Sequence, residues 1–281
     1  MYVLMCPCIR DPSLRAPGIT DEADLRHFTR ARARCTRYGI EVVTLPCPET
    51  IYLGKDRKPG SFLERLNTPD FFRLLDDLEE GVRKMVRERG NPLCIIGVNS
   101  SPTCGSTTTH YGSLEPGSSS KRPGRGVFLD RFPEIPVIDV SVFSRYRVYL
   151  AAPLFSDAER QFNLQLSTML ESHFFEVYLP QEAGDDSHDR GREEHWRIFE
   201  SNLKALAESD MLVAVIEGAD ADSGTSWEMG YAFGHGIPVY SVRTDFRIAG
   251  QHELVNLMLE QSSVIVRNVG DLPRILNSPR Q

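Results

Sequence analysis

The pattern of apolar and polar positions predicts alternating strands and helices along this chain. In the first half, apolar runs at 2–5, 41–45 and 93–98 are typical of buried strands. Amphipathic segments at 21–38 and 70–89 lie between these runs and predict helices, each of which is followed by a glycine. Strands that alternate with helices in this way are typical of a parallel sheet covered by helices.

The same alternation starts again after a break near residues 139–147. Before the break, segment 127–140 is interpreted as a last helix and strand of the first half, and the Gly-, Ser- and Pro-rich stretch 112–126 predicts a mobile loop. In the second half, strands are predicted at 147–150, 175–179, 211–216, 238–242 and 263–266. Helices are predicted between them at 157–172, 193–209, 226–235 and 254–261. The predicted fold class is therefore α/β, with two domains at 1–143 and 144–281, each a parallel sheet flanked by helices.

Composition and charge narrow the class of protein. Of 281 residues, 41% are hydrophobic and 25% are charged, which excludes a disordered chain or a small disulfide scaffold. The net charge of −7 divides into +3 over residues 1–145 and −10 over residues 146–281. We expect no nucleic-acid partner, because such binding needs clustered cations. We also expect no membrane span and no secretory signal, and therefore a cytoplasmic protein.

Three carboxylates of the second half are candidate catalytic groups. Asp210 directly precedes the strand at 211–216, and Asp222 opens a Gly- and Ser-rich turn before the helix that carries Glu228. We expect this helix to begin near Glu228, where the helix dipole would keep a carboxylate ionised. An ionised carboxylate suits a nucleophile or a stabiliser of a sugar cation. The alternative interpretation is a helix cap next to a solvated loop.

Four segments of the second half resemble one known family. Segments 147–155, 222–232, 236–239 and 255–258 are similar, in this order, to the opening strand, the catalytic turn and helix, and the late helix of the nucleoside 2-deoxyribosyltransferase family. The resemblance covers most of 147–270. It implies a flavodoxin-like doubly wound fold, no cofactor in this domain, and a homo-oligomer with shared active sites. The partners that it implies are small 2′-deoxynucleosides and free nucleobases.

The same resemblance implies a role for each matched residue. Glu228 matches the nucleophile of a covalent deoxyribosyl-Glu intermediate, and Tyr149 matches the tyrosine that orients it. Asp222 and Asp210 match acids that contact and protonate the departing base. The implied substrate-binding residues are Pro153, Phe155, Gly224 and Asn256. The implied function is transfer of 2-deoxyribose between nucleobases, since a glycosidic bond that breaks through a sugar cation needs both an anion and a proton donor.

Two other functions stay open for this half. In a deoxynucleoside or nucleotide N-hydrolase, water would take the place of the acceptor base. A phosphorylated substrate is disfavoured by the local charge of −10 and by the lack of a clear phosphate cradle around Ser156, Ser223 and Ser226. A non-catalytic protein that senses nucleosides is the third interpretation, but it would have no need of a nucleophile.

All six cysteines lie within the first 104 residues. Cys35 and Cys94 are interpreted as buried thiols of a helix and a strand. The other four are Cys6, Cys8, Cys47 and Cys104. Each of these follows a predicted strand, so a parallel sheet brings them towards one edge. They do not have the paired spacing of a zinc ribbon, and simple buried thiols are the alternative.

The segments around two of these cysteines resemble a second family. Segments 45–49 and 100–105 are similar to two motifs of the 2-thiouracil desulfurase family, and 126–128 with 135–140 to its closing segment. The resemblance covers about residues 1–142. It implies a 4Fe–4S cluster that is held by three cysteines and keeps one iron open for sulfur. The implied ligands are Cys6, Cys47 and Cys104, with Cys8 as the alternative to Cys6. The implied proton-transfer candidates are Glu49 and Ser101.

The first cysteine motif departs from that family pattern. Cys6 and Cys8 offer two thiols where the family usually has one. If both bound, the open iron would be lost, and the domain would be a structural or recognition module. If one binds, the fusion suggests that the second domain releases a thiolated base and the first removes its sulfur.

Overall fold

The structure is a computed structural model in which the chain forms two compact units. The first unit covers Met1–Ser144 and also includes the chain from Asn277 onwards, and the second covers Arg145–Leu276. The described residues are 1–112, 121–183, 191–250 and 253–278. Among them, no helix has the length and the apolar character that crossing a bilayer requires.

The first unit is built on a four-stranded parallel sheet. The unit as a whole has six strands in its described residues, which are β1 (Tyr2–Met5), β2 (Glu41–Thr44), β3 (Ile95–Gly97), β4 (Thr108–His110), β5 (Lys121–Pro123) and β6 (Val137–Asp139). Its helices are α1 (Glu22–Arg37), α2 (Pro48–Leu53), α3 (Phe62–Arg65), α4 (Pro69–Arg89) and α5 (Val140–Phe143). The sheet order is β2-β1-β3-β6, and β4 pairs with β5 in a separate antiparallel hairpin. The carboxyl ends of β1, β2 and β3 therefore lie along one edge.

Capping side chains explain the two long helices of this unit. Asp21 accepts a hydrogen bond from the backbone N–H of Asp24 and begins α1, while Thr68 caps α4 in the same way through Phe71. Gly90 ends α4 with a positive φ of 82°, a conformation that glycine adopts without strain.

Two predictions for this unit are wrong in part. Segment 127–140 contains a single 3₁₀ turn at Leu129–Arg131 before β6, instead of a helix. Of the predicted mobile loop, 113–120 lies outside the described residues, whereas Lys121–Pro123 pairs as a strand. The local composition of 121–123 does not reveal this strand, because it depends on pairing with β4, an earlier segment of the chain.

The second unit is a doubly wound sheet. Its strands are β7 (Arg147–Ala151), β8 (Glu176–Tyr178), β9 (Met211–Val215), β10 (Val239–Val242) and β11 (Val264–Val266). Its helices are α6 (Asp157–Ser172), α7 (Pro180–Ala183), α8 (Arg192–Glu208), α9 (Ser223–Gly234), α10 (Leu257–Gln261) and α11 (Leu272–Leu276). All strand pairs are parallel in the order β11-β10-β9-β7-β8, which is the flavodoxin-like order. The predicted α/β fold class is thus confirmed.

The two central strands of this sheet are buried along almost their whole length. All five residues of β9 are buried, as are four of the five in β7. Buried apolar runs of this kind are typical of parallel strands covered by helices. The register pairs Tyr149 of β7 with Leu212 on one side and Tyr178 on the other, so the Tyr149 side chain lies within the core of the unit.

Candidate functional sites

The turn after β9 places two of the predicted carboxylates close together. Asp222 is the N-cap of α9, and its Oδ2 atom accepts a hydrogen bond of 2.9 Å from the backbone N–H of Thr225. A side chain at position 224 would place its Cβ only 3.1 Å from the same oxygen, so Gly224 leaves room for this cap. The helix that follows carries Glu228 in its second turn, near the Asp222 carboxylate.

Glu228 forms the central hydrogen bond of the site with Tyr149. The Tyr149 hydroxyl, on the central strand β7, donates to Glu228 Oε1 at 2.5 Å. The Tyr149 ring is fully buried and stacks on Tyr178 of β8, with ring centroids 5.4 Å apart. The Tyr178 hydroxyl in turn donates to Oδ1 of Asn202 on α8 at 2.9 Å. A strand, its neighbour and a helix thus hold the carboxylate in one orientation.

The electrostatics of Glu228 differ from the sequence expectation. Because α9 begins at Ser223, Glu228 lies in the second turn of the helix, whereas the dipole effect is strongest in the first turn. Burial raises the pKa of Glu228 to about 7, although the Tyr149 hydrogen bond lowers it and the Asp222 charge adds to the rise. The pKa of Tyr149 is also raised, by burial and by the Glu228 charge, so its hydroxyl stays a donor. Glu228 is therefore a carboxylate that titrates near neutral pH.

A cavity of about 340 Å³ lies beside this pair. Its lining residues are Tyr149, Phe199, Asn202, Leu203, Leu206, Gly224, Trp227 and Glu228. The four residues that α8 contributes to this lining were not among the predicted site residues. The positions 199, 202, 203 and 206 follow helical spacing on one face of α8, and this periodicity is the signal that would have found them.

Three predicted binding residues lie away from this cavity, whose lining in the described part of the chain does not include them. Pro153 follows β7, and its carbonyl oxygen accepts a hydrogen bond from Asn163 Nδ2 at 2.9 Å. Phe155 is 76% exposed, and its backbone N–H donates to Glu159. Asn256 is exposed and caps α10 by accepting from the backbone N–H of Met258. Their predicted roles stay predictions.

Asp210 occupies the opposite edge of the sheet, and the structure does not bring it to Glu228. It precedes β9, and its Oδ2 atom accepts hydrogen bonds from the backbone N–H groups of Tyr146 and Arg147, at 3.0 and 2.9 Å. These contacts join the amino ends of β7 and β9. The sequence-based assignment of Asp210 to the catalytic set is thus not supported by the geometry, because a parallel sheet separates residues before a strand from those after it.

In the first unit, the four cysteines that follow strands do come together. Cys6 follows β1, Cys8 lies in the 3₁₀ turn Pro7–Ile9, Cys47 is the N-cap of α2, and Cys104 lies in the turn after β3. A side-chain hydrogen bond with Cys104 and burial raise the pKa of Cys6 well above its usual range. Burial and the neighbouring thiols likewise raise the pKa of Cys8 and of Cys47. These groups are therefore neutral thiols in the protein alone.

A network of hydrogen bonds surrounds Glu49 beside these thiols. Oε1 of Glu49 accepts from the hydroxyls of Ser101 at 3.1 Å and Thr103 at 2.8 Å, while Oε2 pairs with Arg57 Nε at 3.3 Å. Arg57 also donates to the Thr50 hydroxyl, which itself donates to the Cys47 sulfur at 3.1 Å. Two hydroxyls and a guanidinium thus hold the Glu49 side chain in one orientation. The structure brings the predicted residues Glu49 and Ser101 into direct contact.

A second cavity, of about 250 Å³, distinguishes Cys8 from Cys6, the two candidate ligands of the first cysteine motif. Cys8, Cys47, Cys104 and Glu49 line it, whereas Cys6 is not among its lining residues and is fully buried. In the described part of the chain, no group of three or more His, Cys, Asp or Glu side chains is arranged to hold a single metal ion. The thiols that face this cavity are thus Cys8, Cys47 and Cys104.

Fold and site together define the second unit as a doubly wound α/β domain with a partly buried carboxylate at a ligand-sized cavity. Residues 148–263 match the sequence model of the nucleoside 2-deoxyribosyltransferase family. This part of the chain is therefore similar to the nucleoside 2-deoxyribosyltransferase family, as the sequence motifs predicted. The residues outside 148–263 have no part in this match.

Several other proteins are similar to parts of the chain. An uncharacterised protein of Ureaplasma parvum is 27% identical over 131 residues, which is 41% of this chain and 82% of that protein. An uncharacterised protein of Methanocaldococcus jannaschii is 39% identical over 70 residues, so the chain spans less than half of its length, 43%.

Similar solved structures include a conserved protein from Enterococcus faecalis, at 26% identity and a TM-score of 0.41, over 47% of this chain and 97% of that one. A 2-deoxyribosyltransferase from Bacillus psychrosaccharolyticus has 22% identity and a TM-score of 0.41, over 48% and 99%. A 2-desoxiribosyltransferase from Leishmania mexicana has 17% identity and a TM-score of 0.39, over 47% and 97%.

Replacement of Asp210 tests its place at the amino edge of the sheet. We expect Asp210→Ala to lower the free energy of unfolding by about 1–3 kcal/mol, because two backbone N–H groups lose a charged acceptor. Turnover of the folded protein should be unchanged. Both tryptophans lie in the second unit, so urea unfolding followed by tryptophan fluorescence reports on this unit. Lost turnover at unchanged stability would instead return Asp210 to the catalytic set.

Replacement of Glu228 by glutamine tests the raised pKa through stability. The folded-state pKa of about 7 lies above the reference value of 4.5, so the wild type loses stability as pH rises from 4.5 to 7. Glu228→Gln lacks this loss and should gain up to about 3 kcal/mol over the wild type between about pH 4.5 and pH 8. The measurement is urea unfolding at both pH values.

Glu193→Gln is the matched control, because Glu193 is an exposed residue in the first turn of α8. Its stability difference from the wild type should not change with pH. A pH-independent difference for Glu228→Gln as well would contradict a raised pKa at Glu228.

Proposed function

We propose that the second unit transfers 2-deoxyribose between nucleobases, with Glu228 as the nucleophile. The observation that carries the proposal is the Tyr149–Glu228 hydrogen bond of 2.5 Å at the wall of a ligand-sized cavity. The family match over 148–263 supports the reaction class. The covalent step is inferred from the position and the pKa of this carboxylate.

Two displacements at the anomeric carbon make up the proposed reaction. In the first, Glu228 Oε bonds to C1′ of the deoxynucleoside as the bond between C1′ and the base nitrogen breaks, and the departing base takes a proton. In the second, a nitrogen of the incoming base bonds to C1′, releases the Glu228 carboxylate and loses a proton. Tyr149 holds the carboxylate oxygen in place, which is worth most when charge builds up on the sugar.

Asp222 is the proposed proton donor for the departing base. Its Oδ2 atom caps α9, whereas Oδ1 has no hydrogen-bond partner among the described residues. A carboxyl group near Glu228 with one free oxygen can carry a proton to and from the base. The exposed position of Asn256 is compatible with a site shared between copies of this chain, and such a homo-oligomer is part of the same proposal.

Removal of the nucleophile distinguishes transfer from the other functions. Glu228→Ala should lower base exchange between deoxyinosine and adenine by roughly four to six orders of magnitude, as removal of other catalytic groups does. The wild type, incubated with donor alone and quenched in acid, should gain the mass of one deoxyribosyl group on the peptide that contains Glu228. Chromatography and peptide mass spectrometry provide the two measurements.

The control for this test is Glu193→Gln, which should exchange bases and form the adduct as the wild type does. Free hypoxanthine without deoxyadenosine would mean that water is the acceptor and the unit is a hydrolase. Unchanged turnover in Glu228→Ala would rule out the covalent proposal.

We further propose that the first unit binds an iron–sulfur cluster through Cys8, Cys47 and Cys104. Three thiols along one cavity wall are soft donors of the kind that such clusters take. A four-iron cluster is wider than one ion, so its ligands need not converge as those of a single metal do. Bound there, the cluster would supply an open iron that accepts sulfur. Metal binding would also release the protons of Cys8 and Cys47, whose raised pKa values keep these two thiols neutral in the protein alone.

The neighbouring residues suit desulfuration of a thiolated nucleobase. In that reaction the carbon–sulfur bond is replaced by a carbon–oxygen bond from water, and sulfur leaves as sulfide. A base must accept a proton from the water, and the Glu49 carboxylate, held by Ser101, Thr103 and Arg57, is the candidate. The fusion then pairs release of a thiolated base by the second unit with removal of its sulfur by the first.

A single cysteine substitution tests both parts of this proposal. Cys8→Ser should bind less iron after anaerobic reconstitution, because a hydroxyl is a poor substitute for a thiolate ligand. It should also release no sulfide from a deoxynucleoside of 2-thiouracil, while base exchange in the second unit continues. Iron and sulfide per chain, visible absorption and base exchange are the measurements.

Cys35→Ser is the matched control, because Cys35 is a buried thiol of α1 that does not line the cavity. It should retain iron and sulfide release. Free thiobase without sulfide in the reconstituted wild type would contradict the coupling, and iron loss in Cys6→Ser alone would assign the ligand to Cys6.

A further inference from the structure

One thiol of the first cysteine motif has no part in the proposed functions. Cys6 follows β1, is fully buried and is not among the residues that line the second cavity. A buried cysteine without a reactive neighbour acts as a small apolar side chain. Cys6 differs from such a residue, because a side-chain hydrogen bond joins it to Cys104, one of the proposed cluster ligands. The two sulfur atoms are therefore already in contact.

The backbones of Cys6 and Cys104 are both attached to the end of β3. The Cys6 N–H donates to the Ile96 carbonyl oxygen at 3.0 Å, and the Val98 N–H donates to the Cys104 carbonyl oxygen at 2.9 Å. Gly97 lies between these contacts, and a Cβ there would come within 2.8 Å of the same Cys104 oxygen. The lack of a side chain at Gly97 thus lets the Cys104 backbone pack directly on β3. A disulfide needs two backbones that lie close together, and one three-residue segment holds both of these.

The other two thiols of the cavity are less suited to pair with Cys104. Among the described cysteines, Cys8 and Cys47 interact with Cys104 only through its charge, without the hydrogen bond that Cys6 makes. The Cys47 sulfur instead accepts from the backbone N–H and the hydroxyl of Thr50, at 3.4 and 3.1 Å. Access differs as well, since Cys104 borders the cavity and Cys6 does not. A small oxidant in the cavity therefore reaches Cys104 first, and Cys6 is the thiol in contact with it.

We infer that Cys6 and Cys104 are a redox pair, which hydrogen peroxide converts into a disulfide when no cluster is bound. In the first step, the Cys104 sulfur takes one oxygen atom from peroxide, which leaves a sulfenic acid and one water molecule. In the second step, the Cys6 sulfur bonds to the Cys104 sulfur, and the sulfenic oxygen leaves with the Cys6 proton as a second water. Two thiols are oxidised and one peroxide is reduced, and no further reactant is needed.

The disulfide protects Cys104 as a proposed cluster ligand. A sulfenic acid that meets no second thiol is oxidised further to sulfinic and sulfonic acids, which ordinary reductants do not reverse. A phosphine returns a disulfide to two thiols, so that Cys104 is again available for metal. While the disulfide is in place, Cys104 cannot bind iron, and the chain takes up a cluster only after reduction. This consequence rests on the proposed cluster, whereas the disulfide itself needs no metal.

Peptide mapping of the cluster-free protein tests the pairing. We expect equimolar peroxide to remove two of the six thiols of the wild type, and a phosphine to restore them. The peptide that contains Cys6 should be linked to the peptide that contains Cys104. In Cys6→Ser this link should be absent, and excess peroxide should add two or three oxygen atoms to Cys104 that a phosphine does not remove. Thiol titration in denaturant and mass spectrometry of digests made without reductant are the measurements.

Two matched variants identify the bonded sulfur atoms. Trypsin leaves Cys6 and Cys8 in one peptide, and Cys94 and Cys104 in another, so the mass of the linked peptides does not by itself name the pair. Cys8→Ser and Cys94→Ser should both keep the link, since neither residue takes part in it. Cys94 is a buried thiol that does not line the cavity.

Iron uptake measures the consequence for the proposed cluster. After peroxide and then phosphine, the wild type should bind as much iron on anaerobic reconstitution as the untreated protein. Cys6→Ser, treated in the same way, should stay depleted of iron, because its Cys104 remains oxidised. Cys94→Ser should recover as the wild type does.

The outcomes separate this inference from the cluster proposal. A link between Cys6 and Cys104 in the wild type supports the redox pair, even if the reconstituted chain binds no iron and the cluster proposal fails. Oxidation of Cys104, or its link to Cys8 or Cys47, while Cys6 stays a free thiol overturns the redox pair, and full iron uptake then leaves the cluster proposal intact. Because the link is measured in the wild type, a poorly folded Cys6→Ser does not change the decision.

Discussion

A carboxylate that must ionise in a partly buried place is the constraint around which the second unit is organised. Burial opposes the charge on Glu228, and the Tyr149 hydroxyl offsets part of this cost through one short hydrogen bond. That bond requires Tyr149 on the central strand, Tyr178 stacked beside it, and a helix that begins at Ser223. The flavodoxin-like strand order brings these three elements together.

The candidate site of the first unit is built on cysteine thiols instead of a single buried carboxylate. Parallel pairing of β1 with β2 and β3 brings three strand ends to one edge, where the thiols of Cys8, Cys47 and Cys104 border one cavity. Burial keeps the thiols of Cys8 and Cys47 protonated, and the Glu49 side chain beside them is surrounded by hydrogen-bond donors. The two units therefore present two kinds of chemistry within one chain, a single carboxylate in one and a group of soft donors in the other.

Local patterns predicted most of the long elements, because helix caps and apolar runs act within a few residues. The helix over Glu22–Arg37 and the buried strand over Met211–Val215 follow from such signals. The short helices at Pro48–Leu53 and Phe62–Arg65 were missed, because they depend on caps supplied by Cys47 and Ser61 after irregular turns. The helix that carries Glu228 begins earlier than predicted, because Asp222 caps it, as the alternative interpretation of the carboxylates allowed.

The sequence by itself determined the fold class, the candidate nucleophile with its tyrosine, and the convergence of the cysteines, since strand ends and motifs are local properties of the chain. Only the tertiary structure decided that Asp210 joins the amino ends of two strands, far from Glu228. It also decided that Cys8, and not Cys6, faces the cavity, and that Phe199 and Asn202 of α8 belong to the site. These outcomes depend on which side chains face each other after packing, and such contacts between distant residues leave no local pattern in the sequence.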